Sequence, residues 1–188
     1  MKAPLLSLCA LPLLAFTPSC AVVIGNDGYV DGDYGFGDVE RAVCVITGTA
    51  GNEGVSGTVT FTERAGGILV EADIRGLTPG LHGFHIHEFG DVSGLDGKSA
   101  GGHFNPDDEK HGGPEDRSRH IGDLGNLEAD STGRATYSRF DDEVRLRGRR
   151  SVIGRAIVIH ADADDFTTQP TGNAGGRVGY GVIGVAKD

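Results

Sequence analysis

Two histidines stand two apart in an apolar stretch at residues 83–91, GFHIHEFGD. In a strand, positions i and i+2 share a face, so His85 and His87 project together while Phe84 and Ile86 point to the other side. One face then reads as core and the other as a ligand pair, although an H-x-H pattern by itself also fits two solvated, neutral imidazoles. A second group follows in GGHFNP, KHGGPED and RHIGDLGN, where His103, His111, His120 and Asp123 are spaced H-x7-H-x8-H-x2-D. Three imidazoles and a carboxylate form a donor set that zinc takes in tetrahedral sites. An ion held there would also order a loop rich in Gly, Pro and Asp that has little apolar surface to bury. The competing reading, a polar loop with solvated histidines, is strained because three of only seven histidines sit in it. His160 ends RAIVIH, with Ile157 and Ile159 on the opposite strand face. If a neighbouring strand brings it to His85 and His87, three imidazoles share one patch, and near-planar nitrogen coordination suits copper(II). His103 could add a fourth nitrogen by giving one ring nitrogen to each metal; spacing does not decide this.

The elements that must hold these groups are short β-type runs: 41–47, 57–62, 68–75, 81–87, 124–129, 133–139, 155–160 and 178–186. Between them lie GNEG, RAGG, LTPG and DSTG, whose Gly, Pro, Asn and Asp suit tight turns. Eight strands without a convincing amphipathic helix predict an all-β, antiparallel barrel or sandwich. Residues 88–123 and 161–177 break that rhythm. Long loops in a compact domain are usually functional or disordered, and the histidines in the first favour function.

With 188 residues, 38% hydrophobic and 23% charged, the chain has the composition of one globular domain with a real core. Its formal net charge of −10 argues against nucleic acid or an anionic membrane as the main partner. The first residues read as a targeting segment: Lys2 precedes an apolar run from Ala3 to Phe16, too short for a span of about 20 residues, and small residues follow. The expected division is a signal peptide at 1–20, a flexible Gly/Asp-rich linker at 21–38 and a domain at 39–188. Cys20 resembles a lipoprotein acceptor, but Thr17-Pro18-Ser19 departs from the usual pattern, so simple cleavage ranks above a lipid anchor. Either outcome places the mature protein outside the cytoplasm: periplasmic, secreted or membrane-anchored.

From about residue 41 to 187 the chain resembles the copper/zinc superoxide dismutases. GFHIHEFGD, GGHFNP, KHGGPED, RHIGDLGN and GNAGGR followed by GVIGVA stand in that family's order and nearly its spacing. The resemblance implies an eight-stranded Greek-key barrel with two long functional loops. It implies copper on His85, His87, His103 and His160, and zinc on His103, His111, His120 and Asp123, one of each metal per subunit. It matches Asp164 to a carboxylate that hydrogen-bonds one copper and one zinc histidine and so fixes their tautomers. It matches Arg177 to the arginine beside the open copper position, a fixed charge and donor fork for a small anion. The implied reaction converts two superoxide anions and two protons to dioxygen and hydrogen peroxide. Copper cycles between Cu(II) and Cu(I), zinc having no second accessible state, while His103 leaves copper on reduction and carries a proton. His82 is expected to support the strand rather than bind metal. A homodimer joined through the first loop and GVIGVA is also implied.

Two rivals come from other classes. An exported copper carrier without turnover would need the ligands but neither Arg177 nor Asp164. A purely structural zinc domain leaves His85, His87 and His160 unexplained. The chain also departs from the family. DVSGLDGKSAG lacks the cysteine of the usual disulfide and Tyr180 stands in the partner position, so no disulfide is expected, and Cys44 should be a buried free thiol. Reliance on zinc or packing around Tyr180 should compensate. The second loop is short and without lysine, predicting weak electrostatic steering. RLRGRR, next to Asp141, Asp142 and Glu143, reads as a self-paired loop rather than a polyanion site.

Overall fold

Alternation of inward apolar and outward polar residues produces eight strands in the computed structural model, which describes residues 39–187. They are β1 (Arg41–Gly48), β2 (Ser56–Arg64), β3 (Gly67–Arg75), β4 (Gly80–His87), β5 (Asp123–Ala129), β6 (Ala135–Asp141), β7 (Ala156–His160) and β8 (Arg177–Val185). On β1, Ala42, Cys44 and Ile46 face inward; Val59 and Phe61 do so on β2, and Ile68, Val70, Ala72 and Ile74 on β3. The expected signal peptide, the linker and Cys20 lie outside the described residues.

Each strand falls within two residues of its sequence-based expectation. The largest displacement is β6, which starts and ends two residues late. Gly133 and Arg134 belong instead to a turn organised by Asp130, whose Oδ1 accepts from the backbone N–H groups of Thr132 and Arg134 at 2.7 and 3.1 Å. Phe140 and Asp141 continue the ladder against Leu69 and Ile68. One 3-10 turn, Lys98–Ala100, interrupts the first long loop.

The strands close into an antiparallel barrel in the order β1-β2-β3-β6-β5-β4-β7-β8. The chain steps from β3 to β4 past β6 and β5, and from β6 to β7 past β5 and β4, a Greek-key path. Joining β6 to β7 is a third long connection, residues 142–155, which the sequence reading did not separate from the strand rhythm. Val144, Leu146 and Val152 on it are buried in the barrel core. Three of its arginines are ion-paired, Arg147 with Glu63, Arg149 with Asp107, and Arg150 with Glu143 and Asp107.

A second, smaller apolar cluster lies apart from the main core. Tyr180 on β8 packs there with Val158 and Ala156 of β7, Ala100 of the 3-10 turn and Val92 of the first loop. Cys44 is buried and free, and no disulfide occurs among the described residues.

Candidate metal centre

Strand pairing assembles the site. β4 and β7 are neighbours, with Phe84 opposite Ile159, His85 opposite Val158 and His87 opposite Ala156. Phe84, Ile86, Ile157 and Ile159 point into the core, which turns His85, His87 and His160 to the other face. His160 ends β7 opposite Arg177, the first residue of β8. The first long loop returns to β4 as an isolated bridge between His87 and His103. Its backbone is stitched there: Phe104 N–H donates to Ile86 O at 2.8 Å, Ile86 N–H to Gly122 O at 2.9 Å, and Gly122 N–H to Phe104 O at 3.0 Å. Phe104 and Ile121 are buried in the core and anchor the segment that carries the remaining histidines. Asp123 then opens β5 opposite His85.

Four imidazoles gather in one group, His85, His87, His103 and His160, with candidate ligand atoms all within 4.8 Å of one another. On three of them one ring nitrogen is committed to oxygen. His85 Nε2 donates to Asp164 Oδ2 at 2.7 Å, His87 Nδ1 to the Gly101 carbonyl at 2.9 Å and His160 Nδ1 to the Gly175 carbonyl at 3.3 Å. The fourth, His103, places Nδ1 2.8 Å from Asp123 Oδ1. The other nitrogens are left facing each other. His85 Nδ1 and His103 Nε2 are buried with no hydrogen-bond partner, and His87 Nε2 lies 3.3 Å from His160 Nε2. Two lone pairs at that distance repel unless a cation stands between them.

A proton is a poor candidate for that cation. Burial drives the His160 imidazole down to about 3 and His87 well below the usual range, and neighbouring histidines and Arg177 push the same way. His103 is held at about 4, again chiefly by burial. Neutral imidazoles with convergent lone pairs are what a nitrogen-preferring metal ion requires, so the donor set fits copper.

The second group is His103, His111, His120 and Asp123, also with ligand atoms within 4.8 Å. The three Nδ1 atoms surround one carboxylate oxygen, Asp123 Oδ1, at 2.8, 3.0 and 3.2 Å. Its Oδ2 accepts from the backbone N–H groups of Gly112 and His120 at 3.1 and 2.9 Å. His111 Nε2 donates to Asp164 Oδ1 at 2.9 Å, so the neutral ring turns an Nδ1 lone pair toward an anionic oxygen. Burial lowers the His111 pKa, but hydrogen bonds to Asp123 and Asp164 outweigh it and lift the value to about 9. A divalent cation would meet the same demand, and the donors are those of a closed zinc site.

Asp164 joins the two groups. It is buried, its oxygens accept from His85 and His111, and these contacts hold its carboxyl far below the usual range despite burial. Gly172 crosses directly over it. At φ 65° the residue is left-handed, and a Cβ would come within 1.8 Å of Asp164 Oδ1. Asn126 of β5 fixes Asp164 from behind, donating from Nδ2 to its carbonyl at 2.9 Å and accepting its N–H at 2.8 Å.

Arg177 is half-buried, and its guanidinium donates to the carbonyls of Gly97 and Gly101 at 2.5 and 2.6 Å. Burial lowers its pKa, but a guanidinium in a protein keeps its charge. His82 is in neither group. Its nitrogens lie 2.7 Å from His160 O and 2.8 Å from Thr78 O, so it props the β7 terminus.

Asn126 and a buried pair, Arg119 with Asp141, escaped the sequence reading. Arg119 Nη2 lies 2.8 Å from Asp141 Oδ2, and its Nη1 donates to the His120 carbonyl at 3.0 Å. The adjacency of Arg119 to His120 was visible, but the partner on β6 was not.

A family model described as copper/zinc superoxide dismutase matches residues 55–183. A Cu-Zn superoxide dismutase of Paramecium bursaria Chlorella virus 1 is 48% identical over 155 residues, covering 78% of this chain and 79% of the viral protein. Among solved structures, the crystal structure of the clock protein EA4 aligns with a TM-score of 0.75 and 43% identity, covering 81% of this chain and 99% of the other. The barrel, the paired histidine groups and these likenesses agree: the chain belongs to the copper/zinc superoxide dismutase family.

Proposed function

We propose that superoxide dismutation by this chain uses copper held by His85, His87, His103 and His160 beside zinc held by His103, His111, His120 and Asp123. The observation that carries this reading is the opposed pair His87 Nε2 and His160 Nε2, 3.3 Å apart, beside the partnerless His85 Nδ1 and His103 Nε2. When bound, copper supplies the one-electron couple and zinc a fixed positive charge. The protein supplies the rest. Arg177 offers a guanidinium next to His160 in register, where it can draw in and orient a small anion. His103 can hold a proton at Nε2, which is buried without a hydrogen-bond partner, with Nδ1 kept toward Asp123. Asp164 keeps His85 and His111 in one tautomer each, so their free nitrogens stay aimed inward.

Metal analysis of ligand variants tests the assignment. His160→Ala should lose copper and keep zinc, His120→Ala should do the reverse, and both should lose turnover measured by pulse radiolysis. Retention of both metals in both variants would overturn it. Tight stoichiometric copper with negligible turnover in the unaltered protein would instead favour an exported copper carrier.

The same reading extends to location and assembly. The apolar run at 3–16 and the Gly/Asp-rich stretch at 21–38 support an exported protein with cleavage near residue 20, with a lipid anchor at Cys20 as the second-ranked alternative. Exposed Phe89 and Leu95 on the first loop and Val182 on β8 support a homodimer through these segments. Mass spectrometry of the mature N-terminus and sedimentation of the metal-loaded protein check each in turn.

A further inference from the structure

The second loop, residues 161–176, contacts the first through a second residue besides Asp164. The side-chain amide of Gln169 pairs with the backbone of His111 in both directions: Oε1 accepts the His111 N–H at 2.9 Å and Nε2 donates to the His111 carbonyl at 2.9 Å. His111 is therefore gripped twice by this loop, at its backbone by Gln169 and at its ring by Asp164. Two bonds to the main chain and one to the imidazole leave its position and ring direction little freedom.

The loop segment that presents Gln169 is itself stiff. Asp165 N–H donates to Gly172 O at 2.9 Å and Gly172 N–H to Thr168 O at 2.7 Å, which closes the segment into a ring. Within it, Asp165 Oδ1 accepts the N–H groups of Thr167 and Thr168 at 2.9 and 2.8 Å, and Oδ2 accepts the Thr168 hydroxyl at 2.6 Å. These bonds hold the Asp165 carboxyl down to about 2. Gln169 thus projects from a pre-formed turn rather than a wandering loop, and the ordering cost of its amide pair falls accordingly.

We propose that Gln169 is a positioning residue for the His103, His111, His120 and Asp123 site, acting as an amide clamp through which the second loop sets the metal affinity of the first. The inference rests on the zinc assignment made above. Partners one step behind a ligand typically change metal affinity by about 10- to 100-fold when removed. An exposed clamp that water can partly replace belongs at the lower end of that range.

Gln169→Ala removes both bonds, and Gln169→Met removes them while keeping the side-chain length. Zinc affinity is read by competition with a chromophoric chelator, and cobalt(II) placed in the same site reports ligand geometry through its visible spectrum. Both variants should bind zinc about tenfold more weakly and alter the cobalt spectrum, with copper stoichiometry unchanged. Unaltered affinity and spectrum in both variants would overturn the clamp while leaving the zinc assignment intact. Failure of the unsubstituted protein to bind zinc or cobalt at all would overturn the assignment and the clamp together.

Discussion

His87 and Arg177 share one acceptor: His87 Nδ1 and Arg177 Nη2 both donate to the carbonyl oxygen of Gly101, at 2.9 and 2.6 Å. Gly101 has φ 76° and ψ −152°, a region essentially closed to other residues, and a Cβ there would meet the Phe89 ring at 2.8 Å. The carbonyl is thereby aimed at both donors. Arg177 consequently helps orient the ring of His87, in addition to the anion-guiding role proposed above. Arg177→Ala should lower superoxide turnover about tenfold or more and perturb the copper spectrum, whereas Arg177→Lys should keep part of the charge effect and still lose the fork. Pulse radiolysis with spectroscopy of the copper-loaded variants reads both; wild-type turnover in Arg177→Ala would refute the role.

The second loop, residues 161–176, carries no lysine or arginine, and the cation that follows it is Arg177 at the start of β8. Turnover should decline only shallowly with added salt, since long-range attraction by exposed charge is what salt screens. A steep decline between low and physiological ionic strength would contradict this.

Metal removal should weaken the fold markedly. The first loop has no disulfide to tether it, and a native disulfide is commonly worth about 2 to 5 kcal/mol. Its His-rich stretch is held by Phe104, Ile121 and the residues proposed above as metal ligands. A chelator should lower the urea midpoint, and equal midpoints with and without chelator would show that the loop is secured without metal.

Tyr180 fastens the other part of that loop. Its contacts with Ala100 and Val92 join the loop to β7 and β8 where a covalent link would otherwise run. Tyr180→Ala should cost about 3 kcal/mol, in the range for large-to-small aromatic truncation. Urea denaturation measures it, and a loss below the usual surface range would mean the cluster carries little.

Cys44 should be chemically silent in the folded protein. Burial pushes its thiol up from an ordinary 9.0 to about 12. The native state keeps this proton while the unfolded chain releases it, so stability from this group is intact below about pH 9 and erodes as pH rises toward about 12. A thiol reagent at pH 8 followed by peptide mass spectrometry should find Cys44 unmodified until urea is added.

The alternation of residues made all eight strands legible, and the resemblance of five short motifs made the histidine groups legible. The groups that steady those histidines were not, because their partners lie far away in the chain. Asn126 reaches Asp164 across 38 positions and Gln169 reaches His111 across 58. Neither residue type is special for such a role; only the fold makes them so. The register shift between Gly83 and His85 was equally hidden, since local spacing continues through it unbroken.

The barrel has unequal seams. β2 and β3 are joined by nine residue pairs, and β3 and β6 by seven, but β5 meets β6 at a single pair, Ala129 with Ala135. On the other side β8 meets β1 through five. The barrel thus divides into two half-shells, one of β1, β2, β3 and β6, the other of β5, β4, β7 and β8, which meet at a narrow β5–β6 seam and a fuller β8–β1 ladder. The second shell holds His85, His87, Asp123, His160 and Arg177. Amide hydrogens beside the β5–β6 seam should exchange with solvent through local openings that leave the β8–β1 ladder closed.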